Sequence, residues 1–213
     1  MFGSGVYSGK RMKSHHELSR YLQQRAVLRS PLLIESFNSI DRKDFVSPGL
    51  QDEPYGDHPL AIGAGQTISQ PYTVAFMLEL LQLEESDRIL DIGCGSGWST
   101  ALLAQTAKSG FVTGVERVPE LLELARSNLK KYQFDNIELQ IAGKALGVPG
   151  QMFDKILVSA AAEELPQELI QQLNPGGIMV IPVQNDMVVI FKREDGSIEQ
   201  SNFPGFRFVP LIY

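Results

Sequence analysis

The chain has 213 residues, 43% of them hydrophobic, and a formal charge of −6. That is enough apolar material for one domain, and basic residues scattered apart from Lys10-Arg11-Met12-Lys13 exclude a phosphate-backbone footprint and hence a nucleic-acid partner. No run approaches the roughly 18 apolar residues of a membrane span and no signal-peptide pattern is visible, so no membrane partner and a cytoplasmic setting are expected.

A single cysteine, Cys94, rules out an internal disulfide and suits a reducing compartment. His15, His16 and His58 are not at ligand spacing, and neither H-E-x-x-H nor C-x-x-C occurs, so no metal site is expected. Residues 1–13, with Gly and Ser and little apolar pattern, read as an arm. Helices are expected over 15–28 and 30–40, the second leading into the charge cluster Asp41-Arg42-Lys43-Asp44. Residues 45–65, rich in Pro and Gly, should be irregular. Val74, Met77, Leu78 and Leu81 place a helix over 70–83 with Pro71 in its first turn, which completes an N-terminal part over 14–83.

From residue 84 onward strands and helices alternate. Strands are expected over 88–92, 111–116, 137–141, 155–158 and 178–182, and helices over 98–107, 119–132 and 166–173. Such alternation implies an α/β fold whose mostly parallel sheet carries helices on both faces. Residues 187–193 and 197–202 flank Asp195-Gly196, a hairpin-forming dipeptide, so antiparallel strands should close the sheet. Without an internal repeat or a clear linker, one domain over 1–213 is expected.

The chemistry concentrates after the first strand of that series. Ile89, Leu90 and Ile92 suit a buried strand, and Gly93, Gly95 and Gly97 then clear side chains from a loop feeding a helix N-terminus, where backbone N–H groups meet a ligand. A purely structural turn is the alternative. Glu116 follows Gly97 by 19 residues and ends the next strand, the position from which a carboxylate accepts hydrogen bonds from ribose hydroxyls. The pattern D-x-G-x-G-x-G, with Asp91 ahead of the glycines, departs from the dinucleotide G-x-G-x-x-G, and the absence of G-K-[ST] excludes a P-loop. Cys94, inside the loop, reads as a small space-filler rather than a nucleophile.

A second segment, Pro59-Leu-Ala-Ile-Gly-Ala-Gly-Gln-Thr-Ile-Ser-Gln-Pro71, is dense in Gly and hydroxyl donors and runs into a helix start. On residue types it suits either anion binding or a helix capped by Thr67 or Ser69.

The D-x-G-x-G-x-G loop resembles motif one of the S-adenosylmethionine-dependent methyltransferases. The 59–71 segment is similar to the loop specific to protein-L-isoaspartate (D-aspartate) O-methyltransferases. Asp44-Phe45-Val46, Val115-Glu116-Arg117, Phe153-Asp154, Val158-Ser159-Ala160-Ala161-Ala162, Leu173-Asn-Pro-Gly176-Gly177 and Phe208-Val209-Pro210-Leu211 extend the likeness over most of 18–211. The resemblance implies a Rossmann-like methyltransferase fold and S-adenosyl-L-methionine as cofactor. It also implies methylation of the free α-carboxyl of L-isoaspartyl residues in damaged proteins or peptides, the ester then collapsing to a succinimide. It assigns Ser69, with Thr67 and Gln66, to the acceptor carboxylate. Asp91, Gly93, Gly95, Gly97, Glu116, Arg117, Gly143 and Lys144 are assigned to the cofactor. Phe208-Val209-Pro210-Leu211 suits either the substrate cleft or a terminal strand packed on the sheet. Many members carry Gly-Asp-Gly after the strand corresponding to 137–141, where this chain has Ala142-Gly143-Lys144-Ala145-Leu146-Gly147, so an acidic partner for adenine is missing. Two competing readings follow: a carboxyl methyltransferase for another peptide, and a catalytically silent binding protein.

Overall fold

The structure, a computed structural model, describes residues 12–213; most of the expected arm therefore lies outside the described residues. Helices α1 (His15–Gln24) and α2 (Pro31–Ser39) lead to two 3₁₀ turns (Arg42–Phe45 and Pro48–Leu50), strands β1 (Leu60–Gly63) and β2 (Gln66–Ile68), and helix α3 (Pro71–Leu80). The alternating part comprises β3 (Arg88–Ile92), α4 (Trp98–Thr106), β4 (Phe111–Glu116), α5 (Pro119–Leu129), β5 (Ile137–Ile141), β6 (Phe153–Val158), α6 (Gln167–Gln171), β7 (Leu173–Val183), β8 (Asp186–Lys192) and β9 (Ile198–Pro204).

Seven strands pair in the order β5-β4-β3-β6-β7-β8-β9, parallel through β7 and antiparallel beyond it. Strand periodicity splits the apolar residues between two cores. Ile89, Leu157, Ile178 and Val180 face one cluster with α1 to α4, whereas Leu90, Ile156, Val158, Met179 and Ile181 face the other with Leu169 and Ile170 of α6. The chain leaves β3 for β4 and β5 on one side and returns to β6 on the other. The gap between the C-terminal ends of β3 and β6 is therefore a topological switch point, where open α/β sheets bind ligands.

Several expected boundaries move for local reasons. The first helix stops at Gln24 because Ala26 turns the chain with φ +55°, and α3 stops at Leu80 ahead of Gln82 at φ +51°. Strand β7 begins at Leu173 rather than 178, absorbing Asn174-Pro175-Gly176-Gly177 through a register irregularity opposite Phe153 and Lys155. Residues 45–65 are not wholly irregular: Leu60 and Ile62 turn inward as β1 and pair with β2 in a hairpin separate from the main sheet. The hairpin at Asp195-Gly196 forms as expected, with Arg193 N–H donating to Ser197 O at 2.8 Å and Gly196 at φ +83°. Beyond β9 the chain folds back to the end of β6. There Ala161 N–H donates to Val209 O and Leu211 N–H donates to Ala161 O, both at 2.8 Å. No helix among the described residues is long and apolar enough to cross a membrane.

Candidate active site

A cleft open to solvent lies at the switch point. Its floor is the glycine loop and the end of β4. Its walls are β2, the 142–147 loop, the start of the segment after β6, and residues 209–213.

The glycine loop follows from the buried β3. Gly93, Gly95 and Gly97 all have positive φ, at +78°, +56° and +93°, values that other residues adopt only with strain. Gly97 then serves as N-cap of α4 and offers no side-chain cap of its own. Glu116, 6% exposed, grips this loop from β4: Oε2 accepts Gly95 N–H at 3.0 Å and Oε1 accepts Val118 N–H at 2.9 Å. Each oxygen keeps a second lone pair, so the carboxylate retains capacity for two hydroxyl donors.

Asp91 lies behind the loop rather than on the cleft wall and is 0% exposed. Its Oδ2 accepts the Ser99 and Thr100 hydroxyls at 2.8 and 2.7 Å, while Oδ1 is buried with no partner. Burial pushes its pKa up to about 6 against the two hydroxyl bonds, and nearby Glu116 adds to the rise. Burial, then Asp91 and Glu116, raise the Cys94 thiol well above its ordinary value, which leaves it a packed thiol.

On the opposite wall stand Gln66, Thr67 and Ser69. Neither Thr67 nor Ser69 caps α3: the N-cap is Gln70, and the N–H of Tyr72 is taken at 2.9 Å by Asp57 Oδ1 from the preceding loop. The Ser69 hydroxyl is therefore not used for capping, and among the described residues it forms no hydrogen bond. Ser159, directly after β6 and anchored by its N–H on Ile92 O at 2.9 Å, adds a hydroxyl to the wall that the sequence reading did not single out as a site residue.

The remaining expected residues divide. Arg117 is exposed but lines the cleft, and Gly143 lines it too. Gly97 is buried behind the loop, and Lys144 is exposed and lies off the cleft wall. The 142–147 loop is braced from below by Gln172, whose side chain accepts from Val148 N–H at 2.7 Å and donates to Leu146 O at 2.9 Å. Gly143 has ordinary φ, and a Cβ built there meets no atom closer than 4.0 Å, so neither backbone strain nor packing explains its small size. Residues 209–213 line the cleft, which favours the cleft reading of Phe208-Val209-Pro210-Leu211 for Val209, Pro210 and Leu211.

The buried Glu116 carboxylate with spare acceptor capacity and a wall whose Gly93 and Gly95 lack a Cβ fit the ribose of a nucleoside. Solved structures agree on the fold. A Plasmodium falciparum structure, described as a protein-L-isoaspartate O-methyltransferase in complex with S-adenosyl-L-homocysteine, superposes with TM-score 0.84 at 26% identity, covering 94% of this chain and 99% of that one. Another protein-L-isoaspartate O-methyltransferase gives 0.80 at 23% identity over 93% of this chain and 66% of that one. The chain is thus built as an S-adenosylmethionine-dependent methyltransferase, a mostly parallel sheet flanked by helices with antiparallel strands at its end. Residues 13–213 match the family described as Protein-L-isoaspartate(D-aspartate) O-methyltransferase (PCMT). Curated relatives named protein-L-isoaspartate O-methyltransferase include those of Methanopyrus kandleri, 40% identical over 94% of this chain and 92% of its own, and Thermococcus onnurineus, 41% identical over 90% of each. The chain belongs to the protein-L-isoaspartate(D-aspartate) O-methyltransferase family.

Proposed function

We propose that the cleft holds S-adenosyl-L-methionine against the glycine loop and Glu116 and receives the free α-carboxylate of an L-isoaspartyl residue against Gln66, Thr67 and Ser69. The chain is an S-adenosylmethionine-dependent protein-L-isoaspartate O-methyltransferase acting on damaged proteins. The observation that carries this assignment of sides is the charge layout of one cavity. Its acid, Glu116, lies on the β4 wall, whereas the β2 wall is neutral and offers hydroxyl and amide donors.

The bound cofactor supplies an electrophilic methyl group on a sulfonium sulfur. Glu116 accepts the ribose hydroxyls while keeping its two backbone donors, and Gly93, Gly95 and Gly143 let the backbone approach. Arg117 and Val118 border the adenine side. The acceptor is already an anion at neutral pH, since a carboxyl group titrates near or below about 4, so no general base is required. The task left to the chain is alignment and exclusion of water. Ser69 orients the carboxylate through its hydroxyl and is no covalent nucleophile, because among the described residues no His or Lys lines the cleft to activate it. A chain with one buried thiol and this substrate suits the cytoplasm.

Incubating the chain with S-adenosylmethionine and an isoaspartyl peptide, followed by mass spectrometry, tests the reading. A methyl ester that loses methanol to a succinimide is expected. A chain that binds S-adenosylhomocysteine yet forms no ester would favour the carboxyl methyltransferase for another peptide, and one that binds no S-adenosylhomocysteine would leave the silent-binder alternative.

A further inference from the structure

Arg42 sits in what the sequence presents as a solvated charge cluster, yet its side chain is 0% exposed and heads the largest fully buried side chains. Its neighbours are engaged elsewhere: Asp41 caps Lys43 N–H at 2.9 Å, and Asp44 accepts from Lys131 and Tyr132, each at 2.9 Å. Among the described residues the guanidinium donates to carbonyls alone, through Nη1 and Nη2, while the buried Nε has no partner. Nη1 donates to Pro54 O at 2.6 Å and Gly56 O at 3.3 Å, and Nη2 donates to His58 O at 3.1 Å and Ser69 O at 3.2 Å. Its Cζ lies 5.2 Å from the centroid of the Trp98 ring, a cation–π contact with the first residue of α4. Among the described residues no carboxylate comes within ion-pair distance of it. Burial, opposed by the field of Asp57, brings its pKa down to about 9, which leaves it a cation at neutral pH.

Burying a cation without a contacting carboxylate is costly, and an apolar side chain would fill the same volume more cheaply. What the four carbonyls share explains its presence. They belong to the two ends of the segment from Pro54 to Ser69, which carries the β1–β2 hairpin and the acceptor wall. The planar fork pins both ends at once, a geometry that the single point charge of lysine cannot reproduce. Through Trp98 the same group rests on the residue that follows the glycine loop.

We infer that Arg42 is a positioning residue for the acceptor: it holds Ser69 and the 54–69 segment at a fixed setting against the cofactor loop and so governs capture of the substrate carboxylate. The inference rests on the reading that Ser69 faces that carboxylate. It predicts a split between the two ligands of the cleft, which a general loss of packing would not produce.

The test compares the parent with Arg42→Met and Arg42→Lys for kcat and KM on an isoaspartyl peptide, for S-adenosylhomocysteine affinity by calorimetry, and for amide exchange. The Met variant should raise peptide KM about tenfold or more, from loss of the charged bonds, while S-adenosylhomocysteine affinity stays within about twofold. The Lys variant should recover part of the loss. In the parent, those amides of 54–69 that are hydrogen-bonded should exchange as slowly as those of the main sheet, a readout that holds even if the Met variant does not fold. A folded Met variant with peptide KM within about twofold of the parent, equal losses for peptide and cofactor, or fast exchange across 54–69 in the parent would each overturn the inference. A parent that binds S-adenosylhomocysteine but leaves the peptide unmethylated would instead refute the acceptor assignment, and the exchange would still decide whether the clamp exists.

Discussion

Replacing Glu116 by glutamine perturbs the cofactor wall at one atom. The two carboxylate oxygens each hold one backbone N–H, from Gly95 at 3.0 Å and Val118 at 2.9 Å. Glutamine keeps one oxygen and must turn its NH₂ toward the other N–H, so a charge-assisted bond is lost and two donors face each other. The ribose hydroxyls lose an anionic acceptor at the same time. A hydrogen bond to a charged group is worth about 1.5–3 kcal/mol, which converts to roughly a 10- to 150-fold weaker dissociation constant. Calorimetric titration of parent and Glu116→Gln with S-adenosylhomocysteine measures this directly. Glu116→Asp, a methylene shorter, should also weaken binding because it cannot reach both N–H groups. Affinity within about twofold of the parent in both variants would refute the assignment of this carboxylate to the ribose.

Ser69→Ala should lower turnover on an isoaspartyl peptide about tenfold or more, with S-adenosylhomocysteine affinity within about twofold of the parent; a large loss of cofactor affinity would place Ser69 on the wrong wall. Gly143→Asp, at a position with ordinary φ and open space for a Cβ, should restore an acceptor at the cleft and tighten S-adenosylhomocysteine binding about three- to tenfold, and unchanged affinity would mean that the missing acid is already replaced. Asp91 has a folded pKa raised to about 6. It therefore binds its proton more tightly in the folded state, and stability falls as pH rises from about 4 to about 6, leaving a deficit of up to roughly 3 kcal/mol at neutral pH. Asp91→Asn keeps an acceptor for Ser99 and Thr100, so it should flatten that pH window and raise the thermal midpoint at pH 7; identical pH slopes in parent and variant would sink this reading.

Apolar runs flanked by turn residues made the central strands legible, because Ile89 to Ile92 and Val112 to Val115 are buried on both faces and need not alternate. Glu116 was legible for a related reason: a carboxylate closing such a strand has no packing role. The hairpin β1–β2 was missed because four residues, Leu60 to Gly63, carry too short an alternation to stand out among prolines and glycines. Residue types leave Thr67 and Ser69 open between capping α3 and binding an anion, because the acceptor of the Tyr72 N–H is supplied across the chain by Asp57, and such a contact leaves no local signal. Arg42 was the least legible. Composition places a charged residue between Asp41 and Lys43 in water, and only the folded path of residues 54–69 creates the four carbonyls that let it be buried.

Methyl transfer from labelled S-adenosylmethionine to two peptides identical except for an isoaspartyl or an aspartyl linkage bears most directly on what this cleft does. The isoaspartyl peptide should be labelled and the aspartyl peptide left essentially unlabelled under the same conditions. Equal labelling of the pair would show that the wall formed by Gln66, Thr67 and Ser69 does not recognise the displaced α-carboxylate.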